Sequence, residues 1–156
     1  MRLTTFTDYS LRVLIYLAVR PQQRATIAET AAAFGISQNH LTKVVHFLGR
    51  QGWIETVRGK GGGMVLAEPP QQIVIGRVVR ATEGEMLAAE CFADGDGGCS
   101  IAPVCRLRGV LGEAIAAFHA VLDRYTLADI AANGPEVIRL LFEATPVRAR
   151  AEETTA

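Results

Sequence analysis

The chain's three cysteines, Cys91, Cys99 and Cys105, all fall within fifteen residues. The stretch reads Cys-Phe-Ala-Asp-Gly-Asp-Gly-Gly-Cys-Ser-Ile-Ala-Pro-Val-Cys. Three thiols cannot all pair internally as disulfides. No signal-peptide pattern precedes them, so the chain is expected in the cytoplasm, where thiols stay reduced. Clustered thiolates in that compartment point to a soft metal site, with iron–sulfur and zinc as the leading occupants. Thiols packed merely as small hydrophobes fit less well, because the surrounding glycines and aspartates make poor core.

Other chemistry is hard to assemble from this sequence. The three histidines are His40, His46 and His119. None has an evident carboxylate partner in sequence. No Ser/His/Asp set, paired catalytic acids or dinucleotide fingerprint stands out, so an enzyme is not expected. Residues 58–63, Arg-Gly-Lys-Gly-Gly-Gly, bring a nucleotide-binding loop to mind. Lys60 is followed by glycine, however, and the spacing departs from a P-loop.

Net charge is zero, yet the charge is divided. Residues 1–80 carry ten basic and four acidic side chains, a net +6, and the remainder carries −6. A basic half joined to an acidic half points to a polyanion partner for the first half alone. Hydrophobic residues make up 49% of the chain, enough for a folded core rather than general disorder. No apolar run reaches the ~18 residues of a membrane span.

The elements that would position these groups follow from periodicity and punctuation. Apolar residues recur at helical spacing over 7–19, and Arg20-Pro21 ends that helix. Thr26-Ile-Ala-Glu29 has the form of a capping box. The helix it opens stops at Gly35, and Ser37 is placed to cap the next, over 38–50. Leu41, Val44, Val45 and Leu48 give that helix an inner stripe. Gln38, Asn39, Thr42, Lys43 and His46 fall on its other faces. Two helices around a tight glycine turn predict a helix-turn-helix, with the second helix reading base edges. Alternating residues near 53–57 and 64–67 predict a β-hairpin with a basic, glycine-rich tip, the wing of a winged helix. Arg58 and Lys60 would meet phosphate or the minor groove there. A helix is expected over 73–82. From residue 105 to about 125, Leu107, Leu111, Ala114, Phe118, Val121, Leu122 and Tyr125 form one apolar stripe. A helix so apolar on one side in so short a chain predicts pairing with a second copy. Short helices are expected after Thr126 and Pro135, then a disordered tail.

The fold class is thus mainly α with a small β-hairpin: a winged helix-turn-helix, a long dimerisation helix and a cysteine loop. The expected divisions are 1–83 for DNA binding, 84–104 for the loop, 105–143 for dimerisation and C-terminal helices, and 144–156 for the tail.

Several segments together resemble the iron–sulfur winged-helix regulators. They are the start Met-Arg-Leu-Thr-Thr-Phe-Thr-Asp-Tyr-Ser-Leu-Arg-Val-Leu, the wing over 57–63, and Val-Arg-Ala-Thr-Glu-Gly over 79–84. Ser-Gln-Asn-His-Leu at 37–41, Glu90-Cys-Phe, residues 99–107 and Tyr-Thr-Leu-Ala-Asp at 125–129 are most similar to the nitric-oxide-sensitive repressors among them. The resemblance spans residues 1–143. It implies a homodimeric repressor on double-stranded operator DNA, released by nitric oxide. It also implies a cluster held by Cys91, Cys99 and Cys105, with Asp8 of the partner subunit as fourth ligand and [4Fe–4S] favoured over [2Fe–2S]. Another branch of the family uses a histidine just after the third cysteine; here that place is near Arg108, so the pattern is absent. The expected DNA-contacting set is Arg2, Ser37, Gln38, Asn39, His40, Thr42, Lys43, Arg58, Lys60 and Gly61. The alternatives are a regulator of the same family sensing iron–sulfur supply or redox state, or a zinc or thiol sensor.

Overall fold

The computed structural model describes residues 2–57, 59, 61–84, 89–92 and 99–143. The expected roles of Arg58 and Lys60, most of the loop between Cys91 and Cys99, and the tail beyond residue 143 lie outside these residues.

Helix α1, Thr5–Ala18, is the axis of the fold. Thr4 caps it by accepting the Thr7 backbone N–H, and Pro21 follows its end. Its apolar face buries Val13, Leu14, Tyr16 and Leu17. It touches the helix over 38–50, the second strand, the helix after the wing and a short C-terminal helix. Two polar side chains are also buried on it, and both are satisfied. Ser10 donates to the Phe6 carbonyl at 2.8 Å, and Thr7 donates to Thr82 Oγ1 at 2.8 Å.

Helix α2, Ile27–Phe34, opens with the expected capping box, with Thr26 and Glu29 bonded reciprocally. Gly35 ends it in the left-handed region at φ 63°, where a Cβ would be strained. Helix α3, Gln38–Arg50, buries Leu41, Val44, Val45 and Leu48, the predicted stripe. Ser37 does not cap it as expected: its φ/ψ are those of an N-cap, but its hydroxyl makes no capping bond.

Strands β1, Ile54–Val57, and β2, Gly63–Leu66, pair antiparallel with Ile54 opposite Leu66 and Val57 opposite Gly63. A third segment joins them. Ala25 and Met64 exchange backbone bonds of 3.1 and 2.8 Å, which stitches the wing to the turn before α2. Gly63 permits this approach, since a Cβ there would sit 2.9 Å from the Ala25 carbonyl oxygen.

Helix α4, Ile75–Glu83, buries Ile75, Val78 and Val79 and ends at Gly84. The long helix α5, Arg106–Leu122, starts and stops slightly inside the expected span. Its 17 residues give about 25 Å rather than 30 Å. None of its residues is fully buried, though Phe118 and Leu122 pack against the core. Helix α6, Leu127–Ile130, is opened by a Thr126–Asp129 capping box and buries Leu127. It ends at Ile130. Helix α7, Gly134–Ile138, leads into a π-helical turn, Arg139–Glu143. No helix among the described residues is long and apolar enough to cross a membrane.

Candidate metal centre and nucleic-acid interface

All three thiols are free. Cys91 lies in a 3-10 turn, Glu90–Phe92, and Cys105 occupies the N-cap of α5. Between Cys99 and Cys105 the chain folds through a second 3-10 turn, Ala102–Val104, and the Cys99 carbonyl accepts the Ala102 N–H at 3.0 Å. Phe92 ties the first cysteine to the last. The Arg108 guanidinium carbon lies 5.7 Å from the centre of its ring, and a Cβ on Gly112 would fall 3.8 Å from its edge. The Cys91 turn is therefore held against the first turns of the helix that Cys105 begins. Cys99 is exposed, and the other two are half-buried.

Asp8 sits in the first turn of α1, half-exposed, paired with Arg12 at 2.8 Å. Among the described residues no three His, Cys, Asp or Glu side chains form a group able to hold a metal ion. The donor chemistry suits a soft metal or an iron–sulfur cluster, with three sulfurs on one short segment and no competing disulfide. Among the described residues the three thiols and Asp8 are not gathered into one ligand set.

The start of α1 is bolted to the end of α4. Glu83 Oε1 accepts the Thr4 backbone N–H at 2.7 Å and the Thr4 hydroxyl at 3.1 Å. Thr7 and Thr82 join their hydroxyls beside them. Burial works against the Glu83 charge, but the hydrogen bonding at this corner, with both Thr4 groups donating to the carboxylate, outweighs it and holds the carboxyl below its ordinary range. This latch spans 79 residues of sequence, and nothing in the spacing announces it.

Ser37, Gln38, Asn39, His40, Thr42, Lys43 and His46 are all exposed, at the start and along the outer face of α3. That helix has no acidic residue. The Thr42 hydroxyl donates to the Gln38 carbonyl at 2.8 Å, which leaves it free chiefly as an acceptor. The helix is braced from α1 by two aromatic contacts. Phe6 meets Phe47 edge-on at 5.2 Å, and Tyr9 lies 6.3 Å from His40. Arg2 and Gly61 are exposed. Arg24, absent from the expected contact set, donates to the Gly61 carbonyl at 3.0 Å and so buttresses the wing tip. A basic residue just before the capping box was the available signal.

Comparison with known proteins settles the family. Residues 3–133 match Rrf2, described as an iron-dependent transcriptional regulator. The chain belongs to the Rrf2 family. The HTH-type transcriptional regulator NsrR of Bacillus subtilis is 49% identical over 142 residues, 90% of this chain and 97% of its own. The NsrR regulator of Geobacillus kaustophilus is 49% identical over 144 residues, 92% and 98% of the two chains. Among solved structures, the global cysteine regulator CymR of B. subtilis superposes with a TM-score of 0.69 at 27% identity, covering 85% of this chain and 98% of its own. IscR of T. potens shares the fold at a TM-score of 0.70 and 23% identity, covering 87% and 90%. Like other Rrf2 members, the chain is a transcriptional regulator, and its likeness to HTH-type regulators implies that it binds DNA.

Proposed function

We propose that this Rrf2 regulator is an iron–sulfur-dependent repressor that holds operator DNA as a homodimer and releases it when nitric oxide reacts with its cluster. The observation that carries the reading is the pairing of three free thiols with the start of α5, whose outer apolar face is uncovered. Leu107 and Val110 are each 61% exposed on that face, and Val104 just before it is 80% exposed. A second subunit laid along α5 covers these side chains. In this reading it also brings another copy of Asp8 to the thiols.

Cys91, Cys99 and Cys105 would hold the cluster, and Asp8 of the partner subunit would complete it, with [4Fe–4S] favoured. When bound, the cluster supplies an iron atom with one weak oxygen ligand that nitric oxide can engage. The protein's part is positional. Asp8 lies on the α1 turn whose flanking rings, Phe6 and Tyr9, rest on α3. Holding Asp8 therefore holds the recognition helix, and releasing it loosens that helix. Gln38, Asn39, His40, Thr42 and Lys43 would read the major groove, with Ser37 and Arg2 beside them. The wing would track the backbone through Arg58, Lys60 and Gly61.

Iron, acid-labile sulfide and zinc per subunit, measured on protein purified without oxygen, test the reading. About four iron and four sulfide, with operator binding lost on nitric oxide addition, support it. Zinc alone, or no metal, overturns it in favour of a zinc or thiol sensor on the same DNA-binding frame.

A further inference from the structure

Resting on the dimeric reading above, we propose that Arg80, Asp123 and Gly76 form an elbow that sets the distance between the two recognition helices, and hence the operator half-site spacing the dimer accepts. The elbow lies where α5 rejoins the winged helix. There the chain entering α4 and the chain leaving α5 are zipped by backbone bonds. Ile75 N–H donates to the Tyr125 carbonyl at 2.9 Å, and Leu127 N–H to the Ile73 carbonyl at 2.8 Å. Ala128 N–H donates to the Pro70 carbonyl at 3.1 Å. A zipped segment fixes a position but leaves rotation about its own line.

A second attachment away from that line removes the freedom. Arg80, more than a turn further along α4, forks onto both oxygens of Asp123 at 3.0 and 2.5 Å. Asp123 is the C-cap of α5, so the fork joins the helix end to the flank of α4. Gly76 lets the two meet. A Cβ there would fall 2.0 Å from Asp123 Oδ1 and 3.1 Å from the Asp123 backbone nitrogen. The side chain of Asp123 thus occupies the space that any other residue at 76 would fill.

Both ends of this joint are committed. Val78 and Val79 bury α4 in the same core as Leu41, Val44 and Leu48 of α3, so α4 moves with the recognition helix. The outer face of α5 is given to the partner. The angle between α4 and α5 is then the angle between reading head and dimer axis. Half-sites lie about 34 Å apart, or a multiple of that, and one added base pair shifts a half-site by about 3.4 Å with a turn of about 35°. The ion pair is exposed, so its contribution to folding is small. Its geometry is what matters.

The test uses the full-length, cluster-loaded dimer and duplexes selected by the wild-type chain from random DNA. Each selected duplex is remade with one or two base pairs added or removed at its centre. Wild type is expected to lose about tenfold or more per step. Arg80→Ala and Asp123→Asn should weaken binding at the native spacing but flatten the series to within about threefold, with dimer mass and salt slope unchanged. The double variant should be no flatter than either single one, as for two halves of one interaction. Arg80→Lys, which keeps charge but loses the fork, serves where Arg80→Ala fails to fold, and it too should flatten the series. Variants that lose affinity by the same factor at every spacing overturn the elbow and leave the dimeric reading intact. A wild-type chain with no spacing preference overturns both.

Discussion

Asp8 and the three cysteines carry the sensing proposal, and each can be tested singly. Cys91→Ala, Cys99→Ala and Cys105→Ala should each abolish iron retention, measured as iron per subunit after anaerobic desalting. Wild-type iron content in any of them removes that residue from the ligand set. Asp8→Ala should keep part of the cluster and change its rate of reaction with nitric oxide; an unchanged rate and unchanged operator affinity would exclude Asp8. A different set of carboxylates governs acid stability. Backbone and side-chain hydrogen bonds from Thr26 hold Glu29 low, the Arg80 fork holds Asp123 low, and bonds from Thr126 hold Asp129 low. Glu83 is held low as well, the hydrogen bonding around Thr4 outweighing burial. A lowered folded pKa stabilises the ionised form. The contribution is complete above the ordinary carboxylate value of about 4 and is lost as pH falls through the lower folded values. Unfolding midpoints of the cluster-free chain should therefore be level near neutrality and fall with acid. Glu83→Gln should shallow that fall, and an identical acid profile would remove the latch from the account. The thiols were legible from spacing alone. The latch was not, because Thr4 and Glu83 meet only through tertiary packing.

Among the elements, α3 was the most readable. Leu41, Val44, Val45 and Leu48 repeat at the helical period, and those four are its buried residues. Leu48→Ala should cost about 2–5 kcal/mol by denaturant unfolding, since the side chain is fully buried. A cost below 1 kcal/mol would mean that the site collapses on itself. The capping boxes at Thr26 and Thr126 were equally plain, because a box is a local pattern. Ser37 shows where local pattern stops short: its backbone is set for a cap, but its hydroxyl is not used. The two-stranded hairpin of the wing is legible in its alternating residues, but its anchorage through Ala25 and Arg24 is not. Such support is long-range and leaves no periodic trace. Arg24→Ala should free the Gly61 carbonyl and reduce DNA affinity without changing iron content. An unaltered affinity would make that bond incidental.

At the scale of the molecule, the proposed reading surface and the proposed pairing surface lie on separate helices. The outer face of α3 carries the polar and basic side chains, and the uncovered apolar face of α5 carries Leu107, Val110 and Val121. Leu107→Asp should shift the mass in solution from dimer to monomer and abolish operator binding; a stable dimer in that variant would place the interface elsewhere. The separation has a consequence in genetic terms. On the proposed assignment, a subunit that has lost its reading residues, such as Lys43→Ala combined with Asn39→Ala, would still pair through α5. Expressed beside the wild-type chain, it would draw half-functional mixed pairs out of the pool and behave as a dominant allele. A subunit damaged on α5 would pair with nothing, leave the healthy pool alone, and behave as a recessive one.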